Sequence, residues 1–497
     1  MQRRPAGFVP RGIFCIFTGR NHNLVMEAKR VLEIFQEITT IPRESGHEEP
    51  MTAWLQRFAS DHGLACKTDA TGNVLITREA SAGYESVPAI VLQSHQDMVC
   101  EKLEGVEHDF ARDPINYVIE DGWMIARETT LGADDGIGIA ASLALLESDL
   151  PSGKVEALFT ISEETGMDGA EALQDGFFTG KTLINLDSED EGQLFIGCAG
   201  GINTQAVCTF PVSPAGDGMA ALSLSVGGAI GGHSGDDINK DRVNAVQQLA
   251  RFLYSLPEGW RLVSFSGGGK PNAIAREAGA VIAVADAAAV SAAFAEFGRT
   301  LAAEFHATDP GVFVKSTAAE AGPALSAADS RRFAGCLFSH PHGVVAMSQD
   351  IKDLVETSSN LASVRMTAPG SFVVRSSQRS SVMSSRDMIA ARVRAHMELI
   401  GAEVEHLLPY PGWTPNLDSP ILKVCVESYK RLFGEDPLVL AIHAGLECGL
   451  FLDKFPDLDM ISFGPTLRGV HAPGEKLELK SLDRFVALLT DVVCHFR

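Results

Sequence analysis

From Met26 the chain opens with Val31, Leu32, Ile34, Phe35 and Ile38 recurring at helical spacing, which predicts an amphipathic helix. Between residues 50 and 190 short apolar runs alternate with helical patterns: strand-like at 88–92, helix-like at 136–146, strand-like at 155–161 and again at 182–186. Such alternation predicts an α/β sheet domain, and in these sheets the loops at strand ends carry the chemistry. After residue 195 the texture changes to Gly- and Ala-rich segments, with a strand at 222–226, a glycine loop at 227–235 and a helix at 243–256. A second strand-helix unit follows at 280–285 and 286–305, with Asp286 as the expected N-cap. From Ile421 the chain returns to helix, strand and loop. The pattern therefore predicts a catalytic domain in two parts, 26–195 and 401–497, interrupted by an inserted domain at 196–400 long enough for two small α/β modules. No repeat of fixed period runs through the insert, so an internal duplication is left open.

Composition narrows the partners. The 497 residues carry a formal charge of -23, which argues against nucleic acid, because phosphate binding relies on Lys and Arg to release counterions. Nine cysteines are scattered without a CxxC pair, the pattern of buried thiols in a reducing compartment. No apolar run has the length of a bilayer span, so a cytoplasmic protein with no membrane partner is expected. Residues 1–25 are basic with only a short apolar patch at 12–17, and are expected to be a disordered or non-native extension ahead of a start at Met26.

The candidate chemistry stands at the ends of apolar segments. In an extended chain His95 and Asp97 face the same way, and a metal-bound imidazole usually donates its second N–H to a carboxylate. The segment Thr129-Thr-Leu-Gly-Ala-Asp134-Asp135-Gly-Ile-Gly runs from a loop into an apolar helix. Helix capping explains one of its acids, but glycines weaken a helix start by roughly 1 kcal/mol each and are expected to admit a bound group close to the backbone. Ser162-Glu163-Glu164 ends an apolar strand with two diverging carboxylates, one suited to a metal and one to a proton. Asp187 directly follows another strand, within an acidic run at 187–191 whose other members are read as surface. His233 stands in a glycine loop, and His471 in the loop Gly469-Val-His471-Ala-Pro-Gly-Glu475. Each has an ordinary reading as a polar residue at an element end. Together, three or four oxygen ligands and two imidazoles suit a pair of divalent, zinc-like ions. Two such ions against Asp134, Glu164 and Asp187 leave one net positive charge for a bridging hydroxide.

Rival signatures are incomplete. Gly267-Gly-Gly-Lys270-Pro271 lacks the upstream Gly and the Ser/Thr of a P-loop, and Gly232-His-Ser234-Gly-Asp236 lacks the last Gly of a nucleophile elbow. The ordered set instead resembles the co-catalytic zinc peptidase clan that includes carboxypeptidase G, aminoacylase and carnosinase, from Met26 to the C-terminus. Within that clan, Ser94-His-Gln-Asp-Met98, Leu131-Gly-Ala-Asp-Asp135, Gly231-Gly-His-Ser-Gly235 and Ile442-His-Ala-Gly-Leu-Glu-Cys-Gly449 resemble the cytosolic aminoacyl-histidine (Xaa-His) dipeptidase branch. The resemblance implies a mixed-sheet zinc-peptidase catalytic domain with an inserted lid. It implies that His95, Asp134 and Asp187 hold one Zn2+ and Asp134, Glu164 and His471 the other, with Co2+ or Mn2+ as substitutes. Asp97 is implied to support His95, Glu163 to serve as general base and acid, and His233 to hydrogen-bond the developing oxyanion from a closing lid. Asn272 and Arg375 are implied to grip the substrate, with Arg379 competing with Arg375. Glu447 with His443 is implied to meet the substrate's amine or imidazole, or else to be a buried polar pair that stabilises a loop. Asp135 departs from the branch, whose members often carry Asn there.

The chain is accordingly expected to be a dinuclear zinc metallopeptidase, a dipeptidase for small unblocked dipeptides with C-terminal histidine favoured. A homodimer through the lid is implied at family level, with the action of His233 in its own chain or a partner left open. Two alternatives stand: a related N-acyl amino acid deacylase or carboxypeptidase, and a catalytically silent metal-dependent binding protein, against which the intact Glu163 argues.

Overall fold

The computed structural model describes residues 26–497, so the extension expected at 1–25 lies outside the described residues. The first helix, Ala28–Ile38, buries Val31, Ile34, Phe35 and Ile38, the stripe its spacing predicts. It packs against helix Ala133–Glu147. That helix is apolar around its whole circumference because it lies between the first helix and the central sheet.

The central sheet has eight strands in the order Ala65–Thr68, Val74–Arg78, Val155–Thr160, Ile90–His95, Thr182–Asn185, Asp459–Ser462, Gln193–Cys198, Leu438–Ile442. Ile90–His95 runs parallel to both of its neighbours, Val155–Thr160 and Thr182–Asn185. All three are buried throughout, which is why they read as continuous apolar runs and not as alternating ones. Parallel neighbours end at one edge, so His95, the 161–164 turn and Asp187 emerge side by side. Asp459–Ser462 and Leu438–Ile442 add to Thr182–Asn185 and Gln193–Cys198, also in parallel. Both ends of the chain thus build one catalytic sheet around the insert.

The inserted part is an antiparallel sheet in the order Phe313–Ala318, Ala220–Gly227, Ala278–Val284, Arg261–Gly268, Val355–Ala368, Ser371–Ser380, Gly200–Thr209, Glu403–Tyr410, with Gly343–Met347 added beside Val355–Ala368. Helices Ala245–Ser255, Ala287–Glu304, Ala327–Ser339 and Met383–Glu398 pack on it, and Phe210, Phe265, Phe333 and Phe372 fill its core. Asp286 caps its helix by accepting the N–H of Ala289 at 2.9 Å. The architecture is mixed α/β with an inserted α+β lid. Its joins differ from the pattern-based ones: Glu403–Tyr410 pairs with Gly200–Thr209 in the lid sheet, and Gln193–Cys198 runs into the catalytic sheet. Strand pattern alone does not say which sheet a strand joins. A small third sheet of Val118–Glu120, Trp123–Ile125, Lys476–Glu478 and Leu467–Arg468 carries the 469–475 loop as a hairpin. No described helix is long and apolar enough to cross a membrane.

His340 follows helix Ala327–Ser339 at 2 % exposure. Burial, with the His396 ring beside it, pushes its pKa down to about 3. In the unfolded chain the imidazole titrates near about 6.5. The folded lid refuses a proton the unfolded chain accepts, so this contribution is complete above about pH 6.5 and drains as pH falls, by about 1.4 kcal/mol per pH unit. Against wild type, H340N is expected to show a flatter decline of unfolding free energy between about pH 6 and pH 4; parallel curves would remove His340 from the acid response.

Candidate metal centre

His95 closes strand Ile90–His95 at 1 % exposure. Its Nδ1 lies 3.3 Å from Asp97 Oδ1, and its Nε2 lies 3.0 Å from Asp134 Oδ1 and 3.5 Å from Asp187 Oδ1. The Asp97 carboxylate also accepts the Ser45 hydroxyl at 2.7 Å and the N–H groups of Glu163 and Glu164 at 3.1 and 3.2 Å. Burial opposes the charge on Asp97, but the His95, Ser45 and Glu163 donors outweigh it and hold the carboxyl at about 2. One carboxylate therefore orients an imidazole and fixes the turn that presents two further acids. That turn is strained at Ser162, whose φ of 54° is left-handed, a conformation costing an L-residue roughly 1–2 kcal/mol. Glu48 compensates by accepting both the N–H and the hydroxyl of Ser162, at 3.1 and 3.2 Å.

Asp134 sits on a non-helical kink at the start of Ala133–Glu147, followed by a cis peptide to Asp135. Its Oδ2 lies 3.1 Å from His471 Nε2, which also lies 2.8 Å from Glu164 Oε1. Two groups result, His95 with Asp134 and Asp187, and Asp134 with Glu164 and His471; within each, the ligand atoms lie within 4.8 Å of one another, and Asp134 is common to both. His95, Glu163 and Glu164 form a third such group. Burial and nearby acids push Asp187 well above the carboxylate range. Burial likewise raises Glu163 to about 8, with Glu447, Glu164 and Asp134 adding to it against His95. Hydrogen bonds to Asp134 and Glu164 push His471 up to about 11. Asp134, buried but hydrogen-bonded to both imidazoles, is held well below the carboxylate range, while Asp187 and Glu163 shift toward their protonated forms, so two histidines do not balance the acids and the cluster calls for further positive charge. A donor set of carboxylate oxygens and imidazole nitrogens suits divalent cations, and the arrangement is a dinuclear metal-binding site.

Three supporting residues escape sequence reading in whole or part. Asp135 accepts the N–H of Gly138 at 3.1 Å and that of His95 at 3.3 Å, so it clamps helix start to strand end. The glycines beside it do not make room for a ligand, contrary to expectation. A Cβ at Gly136 would strike Arg43 and Phe35, and one at Gly138 would strike Asp135 and Ser94; the close approach is to the protein's own groups. Arg43, 2 % exposed, donates to the carbonyls of Gln96 at 3.1 Å, Asp97 at 2.7 Å and Gly132. Glu475 accepts the N–H groups of Leu131, Gly132, Ala133 and Asp134 at 2.7, 3.0, 2.8 and 3.4 Å. Nothing in the sequence marks Arg43. Glu475 lies in the His471 loop, yet a glutamate four residues from a histidine has no meaning until that loop folds.

The lid contributes a second set. His233 Nδ1 accepts the N–H groups of Gly235 and Asp236, both at 3.3 Å. Ser234 N–H bonds Asn272 O at 2.9 Å, so the exposed Asn272 stands beside His233. Gly235 lies so close to the His443 carbonyl that a Cβ would overlap it, which seats the lid loop on the catalytic segment of the same chain. Of the two arginines weighed for the substrate, Arg375 is exposed and bonds Gln205 Oε1 at 3.0 Å. Arg379 is 9 % exposed, donates to Tyr410 Oη at 2.8 Å and leaves its Nε without a partner. The buried fork therefore stands at Arg379 and not at Arg375. His443 pairs through Nε2 with Ser358 Oγ at 2.7 Å, its Nδ1 unpartnered, and burial beside Arg379 pushes it down to about 3. Glu447 accepts Gln93 Nε2 at 2.6 Å and Thr160 Oγ1 at 2.9 Å. It is buried, but its partners lie on the catalytic strands and do not include His443.

Known proteins share this arrangement at several levels. Residues 91–495 match the model of Peptidase family M20/M25/M40. The chain is 38 % identical over 467 residues to the cytosol non-specific dipeptidase of Escherichia coli strain K12, covering 93 % of this chain and 96 % of that relative. The crystal structure of aminoacylhistidine dipeptidase from Vibrio alginolyticus matches with a TM-score of 0.87 at 36 % identity, over 94 % of this chain and 96 % of that one. Aminopeptidase PepT from Bacillus cereus, at 17 % identity and a TM-score of 0.57 over 94 % of this chain and 99 % of that one, shares the fold. With a family match across most of its length and clustered metal-ligating residues at the sheet edge, this chain belongs to Peptidase family M20/M25/M40 and is a metallopeptidase.

Proposed function

We propose that this protein is a cytoplasmic zinc dipeptidase that hydrolyses unblocked dipeptides, with those ending in histidine favoured. The observation that carries it is the pair of ligand groups sharing Asp134, with the Glu163 carboxylate beside them free of hydrogen bonds among the described residues. The names of its relatives support the compartment and the histidine end. Zinc is proposed for mixed imidazole and carboxylate donors, with Co2+ or Mn2+ as substitutes.

When bound, two such ions acidify water and polarise the scissile carbonyl. The chain's own residues do the rest. Glu163 takes a proton from water and returns it to the leaving amine. Asp97, ionised and bonded to the Glu163 and Glu164 N–H groups, keeps that base in place as its charge changes. His233 Nδ1 is occupied within its own loop, 3.2 Å from Asp236 Oδ2 and 3.3 Å from the N–H groups of Gly235 and Asp236, which leaves Nε2 as the nitrogen offered to the developing oxyanion. The seat of Gly235 on His443 supports action of His233 within its own chain. Arg379 Nε and His443 Nδ1, both buried and unpartnered, offer donors to the dipeptide's C-terminal carboxylate, for which an Arg fork is suited; Asn272 adds an amide beside His233. The open edge strand Phe313–Ala318 of the lid sheet supports a homodimer through the lid.

Glu163→Ala is expected to lower turnover by about 10²–10⁴ while elemental analysis finds the zinc retained; activity at the wild-type level would remove Glu163 from its role. Arg379→Met is expected to raise KM for glycyl-histidine by about tenfold or more, the loss of roughly 1.5–3 kcal/mol from charged hydrogen bonds. Arg375→Met should stay near wild type, and the opposite ranking would return the role to Arg375. On a substrate panel, β-alanyl- and glycyl-histidine should release histidine. Cleavage confined to N-acylated amino acids would move the protein to the deacylases, and zinc binding without turnover on any substrate would make it a binding protein.

A further inference from the structure

We propose that Glu475 is a positioning residue that locks two ligands of the dinuclear centre, His471 and the shared Asp134, into one rigid unit; the proposal rests on the metallopeptidase reading above. His471 and Glu475 occupy one hairpin loop between Leu467–Arg468 and Lys476–Glu478. The loop is pinned at its far end by the Gly474 N–H to Ala126 O at 2.9 Å and the Ala126 N–H to Glu475 O at 3.0 Å. His471 itself has a left-handed φ of 62°, so its backbone relies on its surroundings for that shape.

From this loop the Glu475 side chain, 2 % exposed, reaches back to the segment that bears Asp134. It accepts from four successive N–H groups, 131 to 134. These are donors that a helix start leaves unsatisfied, and helix Ala133–Glu147 has no side-chain cap from its own Ncap, Gly132. A carboxylate is also the charge a helix N-terminus favours. Asp134 departs from helical geometry, with φ -81° and ψ 114°, and that departure lets its two oxygens meet His95 and His471. Glu475 holds the departure in place through the N–H groups that lead into the kink, up to and including that of Asp134. Arg43 grips the opposite side of the same turn at Gly132 O and continues to the carbonyls of Gln96 and Asp97. The segments ending in His95, Asp134 and His471 are thereby joined through backbone groups, independently of any ion. Glu475 belongs to none of the ligand groups; it acts through Asp134 and His471.

The test compares wild type, E475Q and a control, E156Q. Glu156 is another buried carboxylate clamping a loop, with the N–H groups of Thr179 and Gly180 each at 2.8 Å, but it lies at the opposite end of strand Val155–Thr160 from Glu163. Each protein is stripped with a chelator and titrated with zinc against a competing indicator; kcat and KM are then measured at fixed and at excess zinc. Wild type should take two zinc ions. E475Q should keep one tightly and hold the other about 10–100-fold more weakly, with kcat lowered at fixed zinc, recovering at excess zinc, and KM unchanged. E156Q should lose thermal stability and keep both ions. Two ions bound by E475Q at wild-type affinity would overturn the proposal, as would equal zinc loss in E156Q, which would mean general loosening. Should E475Q fail to fold, E475D keeps the charge on a shorter arm and should show the same loss in smaller measure; wild-type zinc affinity in E475D overturns the proposal. Wild type that takes fewer than two ions would sink the underlying reading instead.

Discussion

Crowding of like charge is the constraint on which this structure depends. Asp134, Asp187, Glu163 and Glu164 converge at one sheet edge with Glu447 buried behind them. Two like charges 4 Å apart repel by about 4 kcal/mol at an effective dielectric of 20, so a fold that gathers several must supply compensation or leave them protonated. It supplies three kinds. Imidazoles stand against the acids, backbone N–H groups are turned toward Asp97 and Glu475, and space is shaped for divalent cations. With the imidazoles alone, burial still drives Asp187 upward and Glu163 to about 8. The centre is built around charge that the chain itself does not carry.

The supports follow from that constraint. A ligand cluster that repels itself needs its backbone held from outside, and the turns that bear Glu163, His95 and Asp134 have buried acidic or basic residues doing so. Glu48 holds the turn before Glu163, Asp135 joins the His95 strand to the Asp134 helix, and Arg43 bridges the carbonyls of both loops. These residues are far apart in sequence from what they hold. The lid adds its own polar set: His233 is held by Asp236 and by backbone N–H groups, and Arg379 and His443 keep unpartnered nitrogens near that carboxylate.

Much of the fold was legible along the chain. The Val155–Thr160 and Thr182–Asn185 strands fall within a residue of their apolar runs because strands buried on both faces are mostly apolar, the buried Glu156 being satisfied by the N–H groups of Thr179 and Gly180. Asp286 caps the helix its position predicts. Glycines 136 and 138 were misread, since their small size serves packing against Phe35, Arg43 and Ser94, contacts that come from other segments. Which of Arg375 and Arg379, four residues apart on one strand, is buried is not written in the local pattern; Arg379 is buried against Tyr410 and Arg375 is exposed.

By itself the sequence determined the chemical inventory and its order: which carboxylates and imidazoles end apolar segments, and that an insert separates them. Local pattern fixes such things because burial and turn preference act over a few residues. Tertiary structure alone decided that Glu475 and Arg43 brace Asp134, that Asp135 clamps the helix start to His95, and that Glu403–Tyr410 joins the lid sheet. Those outcomes depend on contacts between residues tens to hundreds of positions apart, and no local periodicity encodes a distance through space.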